Sequence, residues 1–201
     1  MEKLPNSEVR NKILQAAQEL FLAQGVSHVS MRKIATCIGY SPTTIYLYFE
    51  NKRDLLSALI QDYYSDFIMQ AEEVMQAQDV CPKASLRAYM MLFVHNGLSK
   101  PDYYKLMVQL FEAGESYDNS GSHGQQVYSH LKILVERCIA AKLVCVPNPN
   151  IAVQAIWTVV FGLTTLLTIR SGFIWKEHEV LVNHTIDTFL NGLFINTNKE
   201  Q

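Results

Sequence analysis

Residues Ser30 to Leu56 read SMRKIATCIGYSPTTIYLYFENKRDLL. Ile34, Ala35 and Ile38 fall on one helical face, and Gly39 then supplies a turn of the kind that often needs a positive φ. Ser41 is a good N-cap, and Pro42 takes the first helical position, where its missing N–H costs nothing. Ile45 and Phe49 lie four apart and face inward, which leaves Thr43, Thr44, Tyr46, Leu47 and Tyr48 outward. Asn51 caps a further helix, and Asp54 sits at its third position, where an acid favours the helix dipole. A short helix that shows hydroxyls and aromatics outward, flanked by Arg32, Lys33 and Lys52, suits a DNA groove. The pattern predicts a helix-turn-helix.

Outside this stretch the chain reads as all-α, with about nine helices and no sustained period-two run. The first spans about residues 7–24 and ends at Gly25. The fourth carries the stripe Leu55, Leu56, Leu59, Ile60, Tyr63, Phe67, Ala71 and Val74 to about residue 78, roughly 40 Å at ~1.5 Å per residue. A helix of that length joins head to body without a flexible linker. Cys81-Pro82 breaks it. Later helices are expected near residues 83–98, from Pro101, and near 125–143, 151–170 and 176–194. The glycine-containing polar stretch 113–124 is the expected mobile loop. The predicted organisation is a helix-turn-helix domain at residues 1–52 and a larger helical domain at 53–201.

The chain has 201 residues, 49% of them hydrophobic and 18% charged, with a net charge of −2. Such a composition supports a substantial core and argues against a protein that grips nucleic acid over its whole surface. Residues 1–60 hold seven Lys/Arg and five Asp/Glu, whereas 61–201 hold ten and fourteen, as expected of a DNA-facing head on an acidic body. Cys37, Cys81, Cys138 and Cys145 form no metal-binding spacing and read as reduced, mostly buried residues of a cytoplasmic protein. The start, MEKLPNSEVRNK, carries no apolar run that would make a secretory signal. Residues 151–169 approach the length of a membrane span, but Gln154 and four threonines interrupt them, so a buried or interfacial helix is expected. No metal site, cofactor motif or catalytic constellation is legible, and no enzymatic activity is expected.

The string Ile34-Ala35, Gly39, Ser41, Ile45-Tyr46, Tyr48-Phe49, Asn51-Lys52 and Leu55-Leu56 resembles the head of TetR-family transcriptional regulators. The resemblance is specific over the first third of the chain and architectural beyond it. It implies that Tyr46, Tyr48 and Lys52 hold phosphates, contacts that fix register without carrying sequence information. Thr43 and Thr44 match the positions nearest base edges, and Leu47 one that can lie against a thymine methyl. Arg32 matches a position that reaches a phosphate or guanine, and Ser30 one that caps its helix and meets a phosphate. Many relatives have glycine where this chain has Thr43, so their base preference does not transfer.

TetR-like bodies commonly enclose a small-molecule site. By composition the pocket candidates are Phe67, Met90, Met91, Phe93, Tyr103, Tyr104, Met107, Phe111 and Trp157, with His95 as a polar contact or a hydrogen-bonded core residue. Thr158, Gly162 and Thr165 put small residues on one face of the eighth helix, and Trp157 and Phe161 add apolar area. With Phe189 and Leu193 of the ninth helix they form the expected dimer surface. The resulting expectation is a homodimer that represses from a palindromic operator, a double-stranded DNA partner, and is released by a small apolar ligand. The alternative is a helical carrier whose head no longer binds DNA.

Overall fold

The computed structural model describes residues 7–76, 81–112, 123–144, 146, 148–170 and 172–194, with backbone alone for Asp62 and residues 110–112. Among the described residues there are nine α-helices and no strand. They are α1 (Ser7–Gln24), α2 (Met31–Cys37), α3 (Pro42–Tyr46), α4 (Lys52–Gln76), α5 (Pro82–Ser99), α6 (Pro101–Glu112), α7 (His123–Ala140), α8 (Pro149–Ile169) and α9 (His178–Leu193). The all-α expectation holds. The bounds differ from the sequence reading by a few residues, most at α7, which begins at His123 and ends at Ala140. Residues 113–122, the expected mobile loop, lie outside the described residues.

The helices form two compact units. One holds α1 to α3, α4 as far as Tyr63, and α6; the other holds α4 from Tyr64, α5, α7, α8 and α9. The first unit closes over Ile13, Ala17, Phe21, Ile34, Ala35, Ile45, Leu55 and Leu56, each almost wholly removed from solvent. Burial of each larger side chain contributes about 1.5–3 kcal/mol. In the same unit Tyr63 stacks on Tyr103 with ring centroids 6.1 Å apart, and Tyr104, Leu106 and Met107 of α6 are buried.

In the second unit α5 packs against α7, α8 and α9. Its interior is a run of rings: Phe67 meets Tyr89 and Phe93 edge-on at 5.6 and 6.0 Å, Phe93 meets Trp157 at 5.4 Å, and Trp157 stacks on Phe161 at 6.3 Å. Helix α8 has a mean hydropathy of 1.8 and is long enough to cross a membrane, alone in this among the described residues. It packs on α5, α7 and α9, as a core helix does. The cysteines depart from expectation. Cys37 stands on the outer side of α2 and Cys81 at the N-cap of α5, both exposed, while Cys138 is buried and burial pushes its thiol up to about 11. Cys145 lies outside the described residues.

A polar chain ties α5 to α9. Arg87 donates to both Asp187 oxygens at 2.6 and 3.1 Å and to Asn183 Oδ1 at 2.6 Å. Asn183 donates in turn to Glu179, whose other oxygen meets His95 Nε2 at 3.0 Å. The hydrogen bond from Arg87 holds the Asp187 carboxyl below its ordinary range. Ionised Asp187 therefore stabilises the fold above about pH 3.9, and that contribution is lost as pH falls through the depressed value. Both side chains are more than a third exposed, so solvent screens the pair. Arg87→Met is expected to lower unfolding free energy by about 0.5–1 kcal/mol at neutral pH. Urea unfolding followed downward in pH should show the gap from the parent chain closing below about pH 3.9.

Candidate nucleic-acid interface

Helix α3 is five residues long, too short to persist alone in water. Its surroundings fix it. At its front, Ser41 Oγ accepts from the backbone N–H of Thr44 at 3.1 Å, with Pro42 in the first turn. Beneath it, Ile45 is fully buried and Phe49 nearly so. Before it, α2 ends in a paired turn: Tyr40 N–H donates to Ala35 O at 3.0 Å and Gly39 N–H to Thr36 O at 3.3 Å. Gly39 has φ of 72°, a region that costs other residues about 1–2 kcal/mol. The expected glycine turn is present, and it aims α3.

The outward face carries what remains. Leu47 is 73% exposed and Tyr46 52%, exposures that no folding requirement explains for large apolar groups. Thr43 is exposed, while Thr44 and Tyr48 are half-buried. The Thr44 hydroxyl lies 2.9 Å from Ser41 Oγ, so it is already partnered. On α2, Arg32 and Lys33 are exposed, Lys33 bonding Gln24. Ser30 accepts from Lys33 N–H at 3.2 Å, the cap expected of it. A shallow open hollow borders Ser30, Arg32, Lys33, Thr36 and Cys37. Thr43, Tyr46, Leu47 and Arg32 thus share solvent-facing positions on the two helices of the motif.

Lys52 differs. Its Nζ donates to the Val26 carbonyl and lies 5.9 Å from the centroid of the Phe21 ring, and the side chain is half-buried. Asn51 Oδ1 accepts from Asp54 N–H at 3.0 Å, and the Asp54 carboxylate reaches back to Glu50 N–H at 3.0 Å. This reciprocal cap starts α4 where expected. Nothing local in the sequence points from Lys52 to Val26, because the partners are 26 residues apart. Hydrogen bonds to charged groups contribute about 1.5–3 kcal/mol, so Lys52→Ala is expected to lower unfolding free energy by about 1–3 kcal/mol in urea titration without any DNA present.

The pocket candidates divide between the units. Met90, Phe93 and Trp157 line a crevice with Tyr89, Leu131, Ile156 and Val160 in the second unit. Its empty space, about 190 Å³, is split into gaps too narrow for water. Phe67 packs behind it, and Met91 is half-buried. Tyr103, Tyr104 and Met107 belong to the first unit, and the Phe111 side chain lies outside the described part. His95 is exposed and bound to Glu179, so it is neither a core residue nor in this crevice. Among the dimer candidates Thr158 is exposed and Phe161, Gly162, Thr165, Phe189 and Leu193 are half-buried.

A helix-turn-helix with an exposed groove-sized helix, set in an all-α chain, has the form of a DNA-binding head. Residues 13–59 match the family described as bacterial regulatory proteins, tetR family. The chain is 32% identical over 107 residues to the fatty acid metabolism regulator protein of Bacillus subtilis (strain 168), covering 52% of this chain and 53% of that one. It is 24% identical over 139 residues to the HTH-type transcriptional activator FasR of Mycolicibacterium smegmatis, covering 69% and 59%. The matched part therefore spans little more than half the length of these relatives. The fold is similar to that of NalD, the secondary repressor of the MexAB-OprM multidrug efflux pump in Pseudomonas aeruginosa, with a TM-score of 0.78 at 23% identity over 94% of this chain and 98% of that one. Residues 13–59 thus match the TetR family over its DNA-binding head, and the chain as a whole shares the all-α fold of solved proteins of that family.

Proposed function

We propose that the chain is a homodimeric repressor that binds a palindromic operator and leaves it when a small apolar ligand is taken up. The exposed face of α3 carries the reading: Tyr46 and Leu47 have no packing role and stand beside Thr43, with the Arg32 cation on α2. Tyr46, Tyr48, Arg32 and Ser30 are the proposed phosphate contacts, and Thr43, Thr44 and Leu47 the proposed base contacts. Lys52 is a weaker phosphate candidate, because Val26 already takes its amine.

One recognition helix makes few contacts, and two copies spaced about 34–36 Å apart on successive major grooves multiply them. The proposed dimer surface is the stripe of α8 on which Ile151, Thr158, Leu166 and Ile169 are exposed, beside Gly162 and Thr165 and with Phe189 and Leu193 of α9. A Cβ added at Gly162 meets nothing within 4 Å, so the single chain has no steric need for glycine there. Helix α4 is uninterrupted from Lys52 to Gln76 and offers a covalent path from ligand capture to the head. Ligand-driven population shifts of this kind are typically about 1–3 kcal/mol. Relatives are named both as activator and as repressor.

Binding to fragments of the source genome, titrated with salt, tests the DNA reading. Affinity is expected to fall steeply with salt, and Arg32→Ala to weaken binding across sequences and reduce the salt slope by about one. Absent or salt-independent binding would favour the carrier. For the dimer, Gly162→Trp is expected to sediment as a monomer while unfolding at undiminished denaturant concentration per chain. A dimer that survives this substitution would remove Gly162 from the interface.

A further inference from the structure

We infer that His130 on α7 is the polar anchor of the body's ligand, and that this ligand is a neutral aromatic molecule bearing a hydroxyl group. The inference rests on the apolar-ligand reading above. His130 is half-buried, and its Nδ1, which is shielded from solvent, has no hydrogen-bond partner within the chain. Buried polar atoms in native proteins are nearly always partnered, so an orphan beside a ring-lined crevice marks a place where a partner arrives. The crevice is close: Tyr89 forms part of its wall and meets the His130 ring edge-on with centroids 6.3 Å apart, and Leu131, the next residue of α7, also lines it.

Tyr89 cannot serve as the partner, since its hydroxyl donates to Val127 O at 2.7 Å. The rings of Phe93 and Trp157 and the pliable Met90 suit a flat apolar guest that enters by displacing them, because the gaps are closed to water. Burial lowers the His130 pKa, which keeps the imidazole neutral at pH 7 and gives it no charge with which to hold a carboxylate; Glu72 nearby opposes an anion further. A hydroxyl both donates and accepts, so it satisfies Nδ1 in either tautomer.

The test uses the full chain and two probes of matched shape, 2-naphthol and 2-methylnaphthalene, in equilibrium dialysis. The naphthol is expected to bind at least ~10-fold more tightly, to shift the His130 ring nitrogens in NMR, and to lose its advantage in His130→Phe, which keeps a ring but no nitrogen. Equal binding of the two probes by the parent chain would overturn the anchor and leave the apolar pocket standing. A naphthol preference that persists in His130→Phe, or comes without a ring-nitrogen shift, would also overturn it. Binding of neither probe would sink the ligand reading itself, and the anchor with it.

Discussion

A five-residue helix has too few internal hydrogen bonds to offset the entropy of forming it, so α3 exists only because its neighbours impose it. Three things do so: the paired turn at Gly39, the Ser41 cap, and the anchoring of Ile45 and Phe49 in the core of the first unit. None of these involves the side chains that face outward. The head is thus a frame that spends its inward residues on holding a short rod and leaves the rod's other side unengaged. Lys52 belongs to the frame. Its position over Phe21, with the amine on Val26, joins the start of α4 to the turn after α1. A matching device sits nearby, where the Arg10 guanidinium lies 5.5 Å from the Phe49 ring centroid.

The sequence was most informative where structure is local. Capping, turn chemistry and helical period are set by residues within four positions of one another, and Ser30, Gly39, Ser41, Asn51 and Asp54 take the local roles read for them. Long-range partners left no such trace. Arg87 and Asp187 are 100 residues apart, and His95 with Glu179 84 apart; a lone histidine in an apolar helix gave no sign that it faces outward. The same limit applies to the pocket candidates. Composition places Met and aromatic residues on buried faces, but it does not say which unit each face closes, and Tyr104 and Trp157, alike by composition, fold into different units.

Both cores bury mainly aliphatic chains with rings among them. In the first, Phe21, Phe49, Tyr63 and Tyr104 are buried with Ile13, Ile34, Ile45, Leu55 and Leu56. In the second, a run of rings from Phe67 to Phe161, with Met90 beside it, borders the crevice, and the buried His130 nitrogen lies in the same unit. Rings and thioethers can slide past one another at low cost, whereas interlocked branched chains cannot.

The separation of inward from outward residues on α3 has a consequence for how such a molecule changes over time. Thr43, Tyr46 and Leu47 are exposed and unneeded by the core, so substitutions there leave the fold nearly untouched. If these side chains meet DNA as proposed, the sequence they favour can drift, or be redesigned by a small library, with little penalty in folding. Ile45 and Phe49, interleaved with them along the same few residues, are the reverse case, and selection at neighbouring codons of one short segment therefore answers to two unrelated demands.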